Sequence, residues 1–363
     1  MPSTRYLVMI SSAAQTCGVE EFSRLLARKL GARAVTQVLG FDPFGLLRSL
    51  KRSDALVLNF PIVAWKKKLL EPTLAALTAR LSKKGTVAIL HEWTSLDWKR
   101  RVVLAPVLLL ATEICFSAPE IADEFAASRL SRLATGRRTV IPIPPNLTAP
   151  ENVKPGDFSA RLAKERARGR MILGQFGSIY PQKQVASVLA VAADLRARGE
   201  DVFVAFAGSF IKGQDTVEQD FFAAVDRLGL SDRVAVSGFI GSEAELFAIF
   251  GEIDVFCYLL PGGLTARRGS VLAAAASGKP VVVNAPANSS ALEHHRLFQR
   301  LIETRGIQLI PTGADAGEAA DAVLKARWTK IETTDPTGEI DALWRDLIAK
   351  IDDCVREEAR LRD

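Results

Sequence analysis

The sequence is poor in the residues that build metal centres and disulfide frameworks. It has three histidines and four cysteines among 363 residues. The cysteines are far apart and form no CxxC pair: Cys17, Cys115, Cys257 and Cys354. This spacing argues against a metal site and against a disulfide framework, and it favours a reducing, cytoplasmic setting.

Long hydrophobic runs are also missing. The longest, Val102–Ala111, has about ten residues and contains Pro106, whereas a helix that spans a bilayer needs roughly 20. The N-terminal residues MPSTRYLVMISS run directly into a strand pattern, without the separate regions of a signal peptide. We therefore expect neither a transmembrane helix nor a secretion signal.

Charge divides the chain into a basic half and a mildly acidic half. Residues 1–150 hold 21 Lys and Arg against 11 Asp and Glu, and the remainder holds 26 against 30. Hydrophobic residues make up 48% of the sequence, which at this length is enough for two well-filled cores. The charge asymmetry therefore indicates two different domains.

Positive charge in the first half is clustered near tryptophans. The clusters cover residues 66–68, 83–84 and 99–101, and the tryptophans are Trp65, Trp93 and Trp98. This combination suits an anionic membrane surface, although solvated helix faces have the same composition. No nucleic-acid-binding module accompanies the charge, so we expect no nucleic acid partner.

Strand-length apolar runs alternate with helix-length periodic segments in both halves. The expected strands cover residues 6–10, 34–39, 55–60, 86–90, 113–117, 139–143, 171–176, 202–207, 233–236, 255–259, 280–283 and 307–310. The expected helices of the first half cover residues 19–30, 67–81, 98–110 and 121–130. The alternation predicts an α/β fold in which parallel sheets are covered by helices on both faces.

A proline-rich passage, IPIPPNLTAPENVKP, separates the two halves. We expect an N-terminal Rossmann-like domain over residues 1–150 and a C-terminal one over 151–337, with a final helix over 338–363 that packs back on the first domain. Ligands of such sheets bind beyond the carboxyl ends of the strands. The two domains are therefore expected to face each other across a ligand-binding cleft.

Three groups of strand-end residues are candidates for that cleft. Gly18 precedes the first helix, although a glycine there is often only a turn residue. The fourth strand is followed by His91, Glu92 and Asp97. The second domain contributes Gly177, Ser178, Lys183 and Gly208.

A further candidate is the segment GGLTARRGSVLAAAASGKPVVVN, which joins a glycine-rich basic loop to a helix of small residues and a buried strand. The N–H groups of Gly269, Ser270 and Val271 are expected to be unsatisfied donors at the start of the helix. Arg267 and Arg268 add fixed positive charge beside them. This pattern predicts an anion site, and a diphosphate suits it.

These loops resemble those of the GT-B fold glycosyltransferases of family 4, which use sugar nucleotides to extend glycans. CGVEEFSRLLA is similar to the first loop of that family, and FGSIYPQKQ keeps the spacing of its G-R-L-x-x-x-K-G stretch with Ser178 in place of the arginine. The segments RVAVSGFIGSEAELFAIFGEIDVFCYL and GSVLAAAASGKPVVV resemble the stretches before and within the donor site. The resemblance covers nearly the whole chain.

The resemblance implies a retaining transfer of sugar from a UDP- or GDP-sugar, without a bound metal or a tightly bound cofactor. Lys183 and Arg268 would neutralise the donor diphosphate. Arg267 is secondary, because adjacent loop residues point apart. Gly177 would let the backbone approach a phosphate closely.

The histidines have different expected roles. The resemblance implies that His91 contacts the acceptor or the reacting sugar; the alternative is a structural hydrogen bond. Glu92 and Asp97 are the bases that an inverting reaction would need. We interpret His294 and His295, which lie on a helical pattern, as surface or packing residues.

The sequence departs from the family at two positions. Members typically carry two glutamates eight positions apart, and Thr265 and Ala273 stand there in this chain. A lost charge-assisted hydrogen bond costs about 1.5–3 kcal/mol. The arginines of RRGS favour a rebuilt donor site over a decayed one.

Two classes of function stay open. One is a glycosyltransferase of bacterial polysaccharide, lipopolysaccharide or glycolipid biosynthesis, with a glycan or lipid-linked acceptor, in the cytoplasm or on the inner face of the cytoplasmic membrane. The other is a non-catalytic GT-B protein that binds a nucleotide, a glycan or a partner enzyme. A nucleotide-sugar epimerase would need carboxylates that the sequence does not place in the cleft.

Overall fold

A computed structural model describes residues 4–11, 18–40, 42–62, 70–179, 185–210, 216–331 and 336–362. The chain forms two compact units, one of Met1–Asn146 with Ala342–Asp363 and the other of Leu147–Asp341. Each unit contains a parallel sheet of six strands with flanking helices. The predicted class, an α/β protein with two Rossmann-like domains, is confirmed.

The sheet of the first unit has the strand order β2-β1-β3-β4-β5-β6. Its strands are β1 (Tyr6–Ile10), β2 (Ala34–Val38), β3 (Ala55–Phe60), β4 (Gly85–Leu90), β5 (Glu113–Phe116) and β6 (Arg137–Val140). The strands β1, β3 and β5 are buried along their whole length. Their continuous apolar sequences are those of parallel strands that are covered on both faces.

Five helices connect these strands: α1 (Gly18–Leu30), α2 (Pro43–Lys51), α3 (Leu70–Leu81), α4 (Trp98–Leu110) and α5 (Pro119–Ala126). The sequence analysis did not predict α2. Asp42 caps this helix by accepting a hydrogen bond from the Gly45 N–H at 2.8 Å, and Pro43 occupies a first-turn position. An Asp-Pro pair before a short amphipathic segment was the signal that could have revealed it.

The sheet of the second unit has the order β12-β11-β10-β7-β8-β9. Its strands are β7 (Met171–Phe176), β8 (Val202–Ala207), β9 (Val234–Val236), β10 (Val255–Tyr258), β11 (Val281–Asn284) and β12 (Ile307–Ile310). The order reverses between β7 and β10. Ligands of open α/β sheets bind at such a switch point, beyond the carboxyl ends of the strands.

The helices of the second unit are α6 (Asp157–Ala167), α7 (Val185–Ala197), α8 (Val217–Arg227), α9 (Glu243–Glu252), α10 (Gly269–Ala276), α11 (Arg296–Glu303) and α12 (Ala316–Arg327). A core of buried aliphatic and aromatic side chains lies between α7, α8, α12 and the sheet. It includes Leu173, Val204 and Phe221. This core holds the strand ends that carry the candidate site in fixed positions.

The last helix, α13 (Pro336–Arg362), contributes its residues from Ala342 onwards to the first unit. Trp344 stacks on Phe22 of α1 with ring centroids 5.5 Å apart. Asp352 accepts hydrogen bonds from the Arg33 guanidinium at 2.7 and 3.0 Å and from the Tyr6 hydroxyl. Within the described ranges, every helix is too short or too polar to cross a membrane.

Eleven strands begin and end within one residue of the sequence prediction, and β6 differs. It was expected at residues 139–143 and covers Arg137–Val140. The following residues include Pro142 and Pro144. Because proline lacks the N–H that a sheet requires, the pairing of β6 with β5 ends before them.

Candidate functional site

The loops that follow β7 and β8 lie close together, with a glycine at the point of contact in each: Gly177 after β7 and Gly208 after β8. Gly177 has a positive φ of 113°, and its N–H donates to the Ala207 carbonyl oxygen at 3.0 Å. A Cβ atom at Gly208 would overlap the Gly177 carbonyl oxygen. Both positions therefore require glycine, and the strand ends present bare backbone where a ligand could approach closely.

The loop that precedes α10 is fixed by a buried amide. Asn284, at the end of β11, accepts a hydrogen bond from the Leu260 N–H and donates one to the Leu260 carbonyl oxygen, each at 2.7 Å. Its own carbonyl oxygen accepts from the Leu264 N–H at 3.0 Å. Gly263 in this loop has a φ of 82°, and a Cβ there would overlap the Ala285 carbonyl oxygen. The basic loop is thus held against β11.

Helix α10 begins directly after the two arginines. The Gly269 N–H donates to the Arg267 carbonyl oxygen at 3.0 Å, and the Val271 N–H donates to the Arg268 carbonyl oxygen at 2.9 Å. The expectation of three unsatisfied donors is therefore wrong for Gly269 and Val271, because the tight first turn uses their N–H groups. The Ser270 N–H has no hydrogen-bond partner among the described residues, so it is the donor that an anion can reach.

The two arginines have different surroundings. Arg267 is exposed, whereas Arg268 is half-buried. The Arg268 Nε atom is buried and has no hydrogen-bond partner among the described residues. A guanidinium that is partly removed from water and incompletely paired is the stronger candidate for binding an anion.

Tyr258 connects the two halves of this site. Its hydroxyl oxygen accepts a hydrogen bond from the Phe176 N–H at 3.0 Å and lies 3.3 Å from the Ser270 carbonyl oxygen, to which it can donate. The side chain is fully buried, and burial raises the pKa of Tyr258 well above its usual range. The hydroxyl therefore stays protonated and joins the end of β7 to the first turn of α10.

Thr265 and Ala273 stand at the two positions where the resembled family typically has glutamates. Ala273 is 1% exposed, on a helix whose residues 271–276 are all buried. The hydroxyl oxygen of Thr265 is buried and has no hydrogen-bond partner in the described part of the chain. Neither side chain can supply a negative charge to the site.

In the first unit, His91 lies at the end of β4 and is buried. Its Nε2 atom is 3.5 Å from Asn59 Oδ1, and its ring meets the edge of Phe22 with centroids 5.2 Å apart. The backbone N–H of His91 donates to the Phe60 carbonyl oxygen at 2.8 Å. Asn59 is fully buried, and its Nδ2 atom has no partner among the described residues. The sequence analysis missed Asn59, although it is the one polar residue of the apolar strand β3 and lies near its carboxyl end, which was the signal that could have revealed it.

The two carboxylates after His91 have local partners. Glu92 accepts a hydrogen bond from the Ser95 hydroxyl at 2.9 Å. Asp97 is exposed and caps α4 by accepting from the Arg100 N–H at 2.9 Å. A structural role therefore accounts for Asp97, while the partner of Glu92 among the described residues is an exposed serine.

The remaining candidates are spread over both units. Gly18 begins α1, and its carbonyl oxygen accepts from Asn146 Nδ2 at 2.7 Å; a Cβ there would make only an ordinary contact, so glycine is not required. Ser178 is exposed after Gly177. Lys183 lies outside the described residues. His295 is buried and caps α11 by accepting from the Phe298 N–H at 3.4 Å.

Several solved structures resemble the chain over nearly its whole length. HepE from Anabaena in complex with UDP has 15% sequence identity and a TM-score of 0.64, with 98% of this chain and 99% of that chain covered. Sucrose-phosphate synthase from Thermosynechococcus elongatus has 16% identity and a TM-score of 0.61, with 97% and 98% covered. WaaG, a glycosyltransferase involved in lipopolysaccharide biosynthesis, has 13% identity and a TM-score of 0.55, with 96% and 99% covered. These likenesses establish the two-domain GT-B fold.

Part of the second unit matches the model of a known family. Residues 170–326 match the family model described as glycosyl transferases group 1. A search of curated proteins gives no match. The family match and the fold together indicate a glycosyltransferase of the GT-B class, and the resemblance inferred from the sequence is confirmed.

Proposed function

We propose that this protein transfers a sugar from a nucleoside diphosphate sugar, a UDP- or GDP-sugar, to an acceptor hydroxyl. The observation that carries the proposal is the hydroxyl of Tyr258, which joins the end of β7 to the first turn of α10 at the switch point of the sheet. This is the part of the chain that matches the group 1 family. HepE, which has the same fold, has been solved with UDP and with UDP-glucose.

In this proposal the donor diphosphate binds beside α10. The Ser270 N–H and the half-buried Arg268 supply a hydrogen bond and a positive charge, and Lys183 supplies a second charge. The bare backbone at Gly177 and Gly208 leaves room for the ligand. Arg267 is exposed and plays a secondary role. Stabilisation of the leaving diphosphate is the main electrostatic task of this reaction.

We propose that His91 contacts the acceptor or the reacting sugar and that the reaction retains the anomeric configuration. An inverting reaction needs a general base, and Glu92 and Asp97 are the carboxylates that follow His91. The carboxylate of Asp97 already caps α4, and that of Glu92 accepts from Ser95. The partners of these carboxylates support the retaining reaction that the family resemblance implies.

The acceptor is proposed to be a glycan or a lipid-linked glycan of bacterial polysaccharide, lipopolysaccharide or glycolipid biosynthesis. The excess of basic residues in the first 150 positions supports an acceptor displayed at an anionic membrane surface. WaaG, which shares the fold, is involved in lipopolysaccharide biosynthesis. We place the protein in the cytoplasm, at the inner face of the membrane.

A second candidate function follows from the missing carboxylates. Because Ala273 is buried and Thr265 is uncharged, the protein could bind a nucleotide, a glycan or a partner enzyme without catalysing transfer. A non-catalytic protein would use the same anion site, but it would not release a nucleoside diphosphate from a donor sugar. Release of nucleoside diphosphate from a donor sugar separates the two functions.

Calorimetric titration with UDP, GDP and their sugars tests the donor site. We expect saturable binding of one of them, and we expect the Lys183→Gln/Arg268→Gln variant to bind at least about tenfold more weakly. The matched control, Arg296→Gln/Lys330→Gln, alters two exposed cations of the same unit and should bind like the unaltered protein. Equal binding by both variants, or no binding of any nucleotide, would contradict the assignment.

A further inference from the structure

Exposed hydrophobic side chains are concentrated on three helices of the first unit. Seventeen large hydrophobic side chains are exposed across the described ranges. Ten of them lie on α2, α3 and α4: Phe44, Leu47, Leu70, Leu74, Leu77, Leu81, Trp98, Val102, Val103 and Leu109. We call the surface formed by these ten residues the α2–α4 face. Single exposed hydrophobic residues are normal, but a concentration of this kind marks a contact surface.

The three helices lie on the same side of the sheet. They connect β2 to β3, β3 to β4 and β4 to β5, and all three crossovers move in one direction along the strand order. Because parallel crossovers are right-handed, helices that move in one direction cover one face. Helix α3 contacts both α2 and α4. The ten side chains therefore belong to one surface.

Helical spacing aligns the exposed side chains along each helix. On α3, the four exposed leucines recur every three or four residues: Leu70, Leu74, Leu77 and Leu81. On α4, Trp98, Val102 and Leu109 are separated by four and seven residues, which places them on one side of the helix. The opposite sides of both helices are already buried against the first unit, through residues such as Ala76 and Leu108. Helices that are apolar on both sides are not typical of a surface that faces only water.

The charges on this surface are mainly positive, although its border also has the exposed carboxylates of Asp42 and Asp97, which cap α2 and α4. Within these three fully described helices the single carboxylate is that of Glu71, which is buried and accepts a hydrogen bond from the Gly40 N–H at 3.1 Å. Exposed basic side chains lie in the helices or directly after them: Arg48, Lys51, Arg52, Arg80, Lys83 and Lys99. The Lys99 ammonium lies 5.8 Å from the centre of the Trp98 ring. Apolar groups with a basic border and an exposed tryptophan suit an anionic lipid surface.

We propose that the α2–α4 face docks on a bilayer that contains anionic lipids. Its apolar side chains enter the boundary between headgroups and acyl chains, and the basic side chains contact lipid phosphates. We favour the bilayer over a protein partner because the exposed tryptophan and the excess of positive charge match an anionic lipid surface, and because half of the six basic residues are lysines, which are depleted in protein interfaces. The inference deepens the proposed function and rests on it, because docking would bring the enzyme to an acceptor held in the membrane.

Sedimentation of the full-length protein with vesicles tests the docking. We expect association with vesicles of phosphatidylcholine and phosphatidylglycerol, weaker association with phosphatidylcholine alone, and a decrease as salt is raised, because salt screens the attraction over about 10 Å. The Arg80→Gln/Lys99→Gln variant should lose most of the association. The control Lys325→Gln/Lys330→Gln, which alters exposed lysines of the second unit, should keep it.

A second pair of variants tests the apolar part. Leu81→Ser/Trp98→Ser removes two side chains that are 76% and 66% exposed, so little buried contact is lost. The matched control Phe239→Ser/Trp328→Ser removes side chains that are 83% and 79% exposed in the second unit. We expect vesicle association to fall at least about tenfold in the first variant and to change less than about twofold in the control.

The outcomes separate this inference from the proposed function. Absence of vesicle association, or an equal loss in both double variants, overturns the docking surface. Self-association that disappears in Leu81→Ser/Trp98→Ser without any vesicle association also overturns it, and assigns the face to a protein partner. Nucleotide binding in vesicle-free buffer should be the same in all of these variants. Vesicle association without nucleotide binding would contradict the proposed function but would still support the docking surface.

Discussion

The hydroxyl oxygen of Tyr258 lies 3.0 Å from the backbone nitrogen of Phe176, a residue 82 positions earlier in the sequence. The same oxygen lies 3.3 Å from the carbonyl oxygen of Ser270, in the first turn of α10. One buried side chain thus sets the separation between the end of β7 and the proposed phosphate-binding turn. This link makes the two strand-end loops a single site.

Tyr258→Phe should weaken donor binding and reduce stability. The substitution leaves the Phe176 N–H without its partner, and we expect the free energy of unfolding to fall by about 1–2 kcal/mol. Urea denaturation measures the stability, and calorimetry measures the affinity for nucleotide. Tyr6→Phe is the matched control, because it removes a tyrosine hydrogen bond to Asp352 in the other unit. Its stability should fall while its nucleotide affinity stays unchanged; a parallel loss of affinity would contradict the role of Tyr258.

Gly208→Ala should be destabilising, because its Cβ would overlap the Gly177 carbonyl oxygen. Overpacking against backbone costs about 1–3 kcal/mol and would displace the strand ends. Gly251→Ala provides a control whose expected change in stability has the opposite sign. That glycine lies in α9, and an added Cβ would have no atom within 4 Å. Alanine there should stabilise the helix by up to about 1 kcal/mol. Equal stabilities of the two variants in denaturant titrations would refute the close approach.

Asn284→Ala should disrupt the loop before α10. Its buried side chain satisfies the Leu260 N–H and carbonyl groups, and each unpaired buried group costs about 1–3 kcal/mol. Asn288→Ala removes an exposed asparagine that caps the turn before α11 and should cost less than about 1 kcal/mol. Thermal unfolding compares the two variants. A larger loss for Asn288→Ala would show that the Asn284 bonds do not hold the loop.

Stability should depend on pH through Cys257. Burial raises the pKa of this thiol to about 12, whereas an unfolded cysteine titrates near about 8.5. The unfolded chain therefore releases the proton first, so the stabilisation is complete below about pH 8.5 and is lost as the pH rises toward 12, by up to about 1.4 kcal/mol per unit.

In the Cys257→Ala variant this contribution is absent. We expect the difference in unfolding free energy between the unaltered protein and the variant to narrow as the pH is raised from about 8 to about 10. Denaturant titrations at each pH provide the measurement. Two parallel stability curves would mean that the Cys257 thiol has the same pKa in the folded and unfolded states.

Most strands could be predicted because they are short apolar runs bounded by polar or turn residues, and burial on both faces of a parallel sheet demands that composition; β6, which reads RRTV, is the exception. Helix α2 was missed although Asp42 and Pro43 mark its start. The glycines and arginines of the candidate site could also be found in the sequence, because a glycine-rich basic loop before a helix is the pattern of an anion site.

The hydrogen bonds of the site could not be predicted. Tyr258 reaches a backbone group 82 positions away, and Asn284 reaches one 24 positions away. Sequence spacing carries no signal for contacts that depend on how strands are ordered in the sheet. The same limit explains the error at Gly269 and Val271, because the N–H groups of a helix start are free only if the local turn does not use them.

The central claim is that the anion site of the second unit supports sugar transfer although Thr265 and Ala273 replace the two glutamates. The most direct measurement is the release of nucleoside diphosphate when the protein is incubated with a panel of UDP- and GDP-sugars without acceptor. We predict slow release from one donor, lost in Lys183→Gln/Arg268→Gln and kept in Arg296→Gln/Lys330→Gln. Saturable nucleotide binding with no release from any donor, with or without glycan or lipid-linked acceptors, would contradict the claim and identify a binding protein.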